Sequence, residues 1–193
     1  LNANVLLQMM TDASFFAIMA VGVCLVIITT GIDLSVGSVF ALSGVTMALA
    51  LRAMGPMSPF ATVLVALIIA LGVGLLSGFV NGALVVGLNV HPFIITLGSM
   101  WVLRGIAFVI SQAESILVPH QLTDVIKSSM GLSATLHPVP MIVMVIIMVI
   151  GALYLTKTVA GRHVFAVGGN VEASRFAGLK IKRVLIAVYT ITG

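Results

Sequence analysis

Most of this chain consists of apolar runs that are long enough, or nearly long enough, to cross the hydrocarbon layer of a membrane. A spanning helix needs about 20 apolar residues, with about 17 as the minimum. Five spans and the start of a sixth are predicted at residues 13–30, 39–51, 60–88, 93–110, 139–154 and 184–193. Only 7% of the residues are charged, whereas soluble domains carry about 25%. The sequence therefore predicts a polytopic membrane protein.

The predicted fold class is all-α, a transmembrane helical bundle forming one domain over residues 1–193. Only helices and closed barrels satisfy the backbone in lipid, and the strict two-residue alternation of barrel strands is missing from these runs. We expect residues 1–12 to be the tail of an earlier segment or an interfacial helix. Residues 60–88 are too long for one simple span, so we expect a broken or interfacial helix after the crossing. The chain starts without Met, which predicts a piece of a longer protein.

One polar stretch late in the chain, residues 157–183, fixes the expected orientation. This basic segment holds six of the nine Lys and Arg residues and one acidic residue, Glu172. Positive charge in a short loop marks the cytoplasmic side. Counting back places residues 31–38 inside and residues 111–138 outside. The net charge of +4 follows from this topology, so it does not indicate nucleic-acid binding.

The sequence GIDLSVGS, residues 31–38, interrupts two apolar runs and contains Asp33 and Ser35. A carboxylate beside hydrocarbon is costly, so it is by default a candidate functional group. Its glycines can break the helix, and such breaks persist only where protein or a wet cavity surrounds them. Alternatively, Asp33 caps the helix that follows. Both roles are compatible.

The long third run carries Gly74, Gly78 and Gly82, spaced by four, with Asn81 on an adjacent stripe. Small residues at this spacing let helices approach closely. We interpret the glycines as a packing ridge. Asn81 could bond a sugar hydroxyl or a neighbouring helix.

The fourth run offers Thr96 as a hydroxyl for a polar pathway and Arg104 as an intramembrane charge. Arg104 could pair with a carboxylate, line the pathway, or extend its side chain towards the outer surface.

The basic segment contains a predicted short helix, residues 171–177. Gly168 and Gly169 form a turn, Asn170 is a good N-cap, and Gly178 is well placed to end the helix. Phe176 lies on its apolar edge, which Glu172 and Arg175 flank. Such a helix could enter a partner's groove or lie on anionic lipid headgroups.

Several catalytic signatures are missing from the sequence. It has no P-loop, no nucleophile elbow, no metal-spaced Cys/His cluster and no paired intramembrane carboxylates. No catalytic or metal site is therefore predicted. If the protein moves a solute, we expect the energy to be supplied from outside this chain.

Three stretches, GIDLSVGSVFALSG, NGALVVGLNVHPFIITLGSMWVLRG and GRHVFAVGGNVEASRFAGLKI, together resemble the permeases of ribose-type sugar ABC importers. That family serves ribose, xylose, arabinose, galactose, allose and autoinducer-2. The resemblance implies a multi-pass permease of the bacterial inner membrane, paired with a second permease subunit. It also implies a periplasmic sugar-binding protein and a cytoplasmic ATPase that holds ATP and Mg²⁺, with no cofactor on this chain.

The resemblance further implies that the basic segment is the region that couples permease to ATPase. Its expected contact residues are Gly168, Gly169, Asn170, Glu172, Arg175, Phe176 and Gly178. Asp33 and Ser35 match a signature loop beside the pathway, and Asn81, Thr96 and Arg104 complete the predicted pathway set. The alternatives are an ATP-independent secondary transporter or channel, with inverted repeats and broken helices, and a membrane scaffold without transport.

Overall fold

The computed structural model describes residues 3–126 and 138–193, and every regular element in those ranges is a helix. The helices are α1 (Ala3–Ile28), α2 (Val36–Met54), α3 (Pro59–Leu88), α4 (Pro92–Ser111), α5 (His120–Ile126), α6 (Pro138–Lys157), α7 (Val159–Gly169), α8 (Val171–Phe176) and α9 (Ile181–Thr192).

Five of these helices are long and apolar enough to cross a membrane: α2, α3, α4, α6 and the part of α1 from Gln8 to Ile28. The predicted all-α class and the five predicted spans are therefore confirmed. The predicted start of a sixth span corresponds to α9. Part of the predicted outer segment, residues 127–137, lies outside the described residues.

The expected break in the third run is wrong, because α3 is one continuous helix of 30 residues. Ser58 caps its N-terminus by accepting a hydrogen bond from the Ala61 N–H, and Pro59 occupies the first turn. Gly74, Gly78 and Gly82 do not interrupt it, and they lie against α9 or Gly193 at its end. At roughly 45 Å it exceeds the hydrocarbon thickness of about 30 Å, so α3 must tilt or project into the interface.

Two further boundaries differ from the prediction. Residues 3–12 continue directly into α1 and form no separate element. The first half of the basic segment, expected to be a loop, is the helix α7. The Thr158 side chain caps α7 by accepting the Gly161 N–H at 2.9 Å, and Gly161, Val164 and Val167 form its buried face.

The predicted glycine ridge of α3 is the surface on which α9 packs. A Cβ atom on Gly78 would meet the backbone of Tyr189 and lie 3.0 Å from the Thr190 Cα. A Cβ on Gly82 would lie 2.9 Å from the Ile186 Cα. The interpretation of these glycines as packing residues is confirmed.

The main core lies where α1, α3, α7 and α9 meet. Its buried members are Leu25, Val26, Val85, Val164, Val188 and Tyr189. This core joins the ends of the spans to the basic segment, so the two parts form one packed unit.

We expect Gly78→Val to destabilise the protein by about 1–3 kcal/mol, because overpacking would force α9 away from α3. Gly72→Val on the same helix is the matched control, since its Cβ would meet nothing within 4 Å. Thermal unfolding of the two variants in detergent tests this. Equal melting temperatures for both variants would contradict the ridge assignment.

Candidate functional site

The α1–α2 loop, residues 29–35, alternates buried and exposed residues between two spanning helices. Thr30 adopts φ +60°, the left-handed conformation that often follows a helix C-terminus. The Gly31 N–H then bonds the Val26 carbonyl at 2.9 Å, and the Thr30 N–H bonds the Ile27 carbonyl. These two bonds satisfy the last carbonyls of α1 and turn the chain towards α2.

A chain of buried hydrogen bonds links this loop to α3. The Asp33 Oδ1 atom accepts the Ser35 N–H at 2.8 Å and the Ser35 hydroxyl at 2.6 Å. The Asn81 amide donates to the same Ser35 Oγ at 2.7 Å. Asp33, Ser35 and Asn81 are all buried. The carboxylate is therefore held by donors within the protein, as a buried charge requires.

A second bond fixes the loop to α4. The Thr96 hydroxyl donates to the Ile32 carbonyl at 3.1 Å, and Thr96 is fully buried. Four of the five predicted pathway residues thus form one group, the polar cluster: Asp33, Ser35, Asn81 and Thr96. Asp33 also organises the start of α2, because Ser35 is the N-cap residue of that helix. The Asp33 carboxylate thus bonds the N–H of the N-cap residue and no N–H within α2, and its pathway role stays a prediction.

The fifth predicted pathway residue, Arg104, lies apart from this cluster. It is exposed on α4, eight residues beyond Thr96, which is roughly 12 Å along a helix. Within the described ranges it forms no ion pair. The structure therefore does not bring it to the polar cluster.

A cavity of about 700 Å³ lies between α2, α3 and α4 and includes Asn81 in its wall. The other polar side chains of the wall are Thr46, Ser77 and Ser99. The remaining described lining residues are apolar or glycine, and none carries a charge. The exposed surface of the cavity is therefore almost wholly apolar, since Asn81 is buried and bonds Ser35, and the Thr46 hydroxyl bonds the Leu42 carbonyl.

The helix α7 docks closely on the end of α1, next to the α1–α2 loop. A Cβ on Gly168 would collide with the Ile28 carbonyl and lie 3.5 Å from the Thr29 Cα. Glycine is therefore required there for close backbone approach. On the opposite turn, Gly161 similarly faces the backbone of Tyr154 and Leu155. The predicted turn at Gly168 and Gly169 is instead the last turn of α7.

The helix α8 has the ends that the sequence predicts. Asn170 caps it by accepting the Ala173 N–H at 2.9 Å. Beyond the helix, Gly178 has φ +81° and its N–H bonds the Arg175 carbonyl, while the Leu179 N–H bonds the Ser174 carbonyl. This pair of bonds is a Schellman motif. Both ends of this six-residue helix are therefore capped.

The exposed side of α8 combines an aromatic ring with an ion pair. Phe176 is 88% exposed. Arg175 and Glu172 approach to 3.3 Å, with both side chains largely exposed. A surface ion pair of this kind contributes at most about 1 kcal/mol to stability.

The structure also reveals residues that the sequence analysis did not single out. Tyr189 on α9 is fully buried against Gly31, and Thr30 has a backbone conformation unusual for a β-branched residue. The only feature of the sequence that could have indicated a buried Tyr189 is an aromatic residue on a helix that faces a glycine ridge. The described residues contain no group of three or more His, Cys, Asp and Glu that could hold a metal ion.

Comparison with known proteins decides the kinship. Residues 5–193 match the family described as branched-chain amino acid transport system / permease component. The chain belongs to this family. It is also 39% identical to the fructose import permease protein of Bifidobacterium longum over 99% of this chain and 52% of that protein.

Two relatives in Escherichia coli agree with this assignment. The ribose import permease protein is 36% identical over 98% of this chain and 58% of its own length. An inner membrane ABC transporter permease protein is 33% identical over 99% and 56%, respectively. The predicted kinship with sugar importer permeases is confirmed, and the chain spans little more than half the length of these relatives. No solved structure matches the chain significantly.

The hydrogen bond between Asn81 and Ser35 predicts energetic coupling between them. In a double-mutant cycle of Asn81→Ala and Ser35→Ala, we expect a coupling of about 1 kcal/mol in unfolding free energy. The control pairs Ser35→Ala with Thr62→Ala, since Thr62 lies roughly 28 Å from Asn81 along α3 and bonds the Ser58 carbonyl instead. Additive effects in both cycles would show that the bond contributes nothing.

Proposed function

We propose that this chain forms the membrane-spanning part of a permease subunit in an ATP-driven importer of small neutral sugars. In this proposal a cytoplasmic ATPase, which holds ATP and Mg²⁺, docks on α8. The observation that carries the proposal is the exposed Phe176 on a short, doubly capped helix that is packed through α7 onto the spans.

The shape of α8 supports protein docking over a lipid-surface role. An exposed aromatic side chain with Arg beside it is the composition enriched at protein interfaces. The neighbouring Glu172 would be repelled by anionic headgroups, whereas a protein partner can pair with both charges. Because Asn170 and Gly178 fix both ends, little conformational entropy would be lost on docking.

The close contact between α7 and α1 supports coupling to transport. Movement imposed on α8 would pass to α7 and, through the backbone contact at Gly168, to the end of α1 and the α1–α2 loop. That loop is bonded to α3 and α4 through Asn81 and Thr96. A displacement of α8, the proposed docking helix, would therefore reach the helices that surround the cavity.

The cavity wall favours a neutral polyol over an amino acid. An amino acid carries an ammonium and a carboxylate group, and burying either without an opposite charge is costly. The described cavity lining has only hydroxyl and amide groups as polar side chains, which suit sugar hydroxyls. The relatives named for fructose and ribose agree with this choice.

The remaining parts of the proposal concern orientation and partners. The basic segment would face the cytoplasm of a bacterial inner membrane, since Lys and Arg favour that side. A periplasmic binding protein would deliver the sugar, and a second permease subunit would complete the pathway. Selectivity would rest mainly on the binding protein, because the cavity is only mildly polar.

We expect Phe176→Ala in the full-length permease to weaken association with its ATPase by at least tenfold, since the loss of a central aromatic anchor typically costs about 2 kcal/mol or more. Phe108→Ala is the matched control, because Phe108 is 59% exposed near the far end of α4. Binding of the purified ATPase to permease in nanodiscs measures both.

Two results would contradict this docking site. One is unchanged association after Phe176→Ala. The other is a wild-type permease that does not bind the ATPase in nanodiscs yet transports sugar without ATP, which would favour the secondary transporter.

The substrate class is tested by uptake into proteoliposomes that contain the full-length permease, ATPase and binding protein. We expect ATP-dependent uptake of labelled D-ribose or D-fructose, and no competition by a 100-fold excess of L-leucine. The reason is the uncharged cavity wall. Uptake of labelled L-leucine in place of either sugar would contradict the sugar assignment.

A further inference from the structure

The Tyr189 hydroxyl is the buried polar group of this protein that most requires an explanation. Tyr189 is 0% exposed, and its hydroxyl oxygen has no hydrogen-bond partner within the described residues. Buried polar groups are nearly always hydrogen-bonded, and an exception marks a strained or functional position. A phenylalanine would fill the same space without an unpaired hydroxyl.

The hydroxyl points at the α1–α2 loop. A Cβ atom on Gly31 would lie 2.7 Å from the Tyr189 hydroxyl oxygen and 2.9 Å from a methyl carbon of Val26. The tyrosine therefore occupies space that only a glycine leaves open. Its hydroxyl thus lies beside Gly31, which comes two residues before Asp33 in the chain.

The loop itself is held in an unfavourable conformation. Thr30 is β-branched and has φ +60°, a backbone region that such residues rarely adopt. Strain of this kind persists only where the surrounding structure imposes it, and it is concentrated at switch regions. The unpaired hydroxyl thus lies against Gly31, the residue that follows the strained Thr30.

The Asp33 carboxylate can supply the missing partner. Its hydrogen bonds to Ser35 both use Oδ1, and an ionised carboxylate accepts through both oxygens. A rearrangement of the loop or of α9 that brings the two groups together would let Oδ2 accept the Tyr189 hydroxyl. The resulting bond would be charge-assisted and therefore strong.

Tyr189 is also connected to the docking helix. The helix α9 begins at Ile181, after the short turn that ends α8, and α8 packs on α9. A displacement of α8 would therefore move α9 along the glycine ridge of α3. It would carry the Tyr189 hydroxyl relative to the α1–α2 loop.

We propose that Tyr189 is a positioning residue of the transport cycle, whose hydroxyl bonds the Asp33 carboxylate in a second arrangement of the α1–α2 loop. In the arrangement described above the bond is open. Formation of this bond would make the arrangement of the polar cluster depend on the position of α8. This inference rests on the proposed ATP-driven function.

The test compares Tyr189→Phe with wild type in proteoliposomes that contain the full-length permease, ATPase and binding protein. The readouts are uptake of labelled D-ribose or D-fructose, whichever the wild type imports, and ATP hydrolysis in the same vesicles. A hydrogen bond present in only one of two states shifts their ratio by about tenfold. We expect uptake per ATP to fall by about that factor.

The melting temperature separates positioning from packing. Tyr189→Phe keeps the ring and removes an unpaired hydroxyl, so we expect an unchanged or higher melting temperature. Tyr154→Phe, in the residue that packs against the same core from α6, is the matched control and should retain wild-type uptake per ATP. Asp33→Ala and the Tyr189→Phe, Asp33→Ala double variant should be equally impaired, because both lack the same bond.

Each other outcome overturns the inference. Wild-type uptake per ATP in Tyr189→Phe, within twofold, would mean that the hydroxyl has no role in the cycle. Losses that multiply in the double variant would mean that Tyr189 and Asp33 act independently. A wild type that binds its ATPase but imports no neutral sugar with ATP would contradict the proposed function, and this inference with it.

Discussion

The structure depends on how one helix break is satisfied inside a membrane protein. Buried backbone groups in the segment between two spanning helices need partners within the protein. At the α1–α2 loop, Asp33 accepts the Ser35 N–H and Thr96 on α4 donates to the Ile32 carbonyl. Asn81 on α3 donates to the Ser35 side chain. One break thereby fixes the relative positions of four helices, and the cavity is bounded by three of them.

The same constraint explains why glycine occurs where helices cross. The closest approaches are backbone to backbone, with α9 on the ridge of α3 and α7 on the end of α1 at Gly168. Such contacts bring rigid backbones together without flexible side chains between them. Interiors packed in this way transmit displacement. The basic segment and the α1–α2 loop are therefore parts of one packed unit, although Gly168 and Ser35 lie far apart in the sequence.

Much of this organisation could be predicted from the sequence, and the failures have physical reasons. Spans are visible because a long apolar run has one stable form in lipid, and α8 is visible because Asn170 and Gly178 mark its ends locally. The continuity of α3 could not be predicted from the sequence. Whether a glycine breaks a helix or lets a neighbouring helix approach depends on that neighbour. The helix α7 was obscured by its glycines and charges, although Thr158 and the apolar spacing of Val164 and Val167 indicate it. The gathering of Asp33, Ser35, Asn81 and Thr96 depends on three-dimensional packing, as does the position of Tyr189 against Gly31.

The central claim is that α8, the proposed docking helix, and the α1–α2 loop change together when the ATPase and ATP bind. Hydrogen–deuterium exchange on the full-length permease in nanodiscs, with and without its ATPase and ATP, tests this most directly. The account predicts that exchange changes in residues 171–176 and, in the same experiment, in residues 29–35, with little change in α5 on the opposite side. Protection confined to residues 171–176, with exchange in residues 29–35 unaltered, would contradict it.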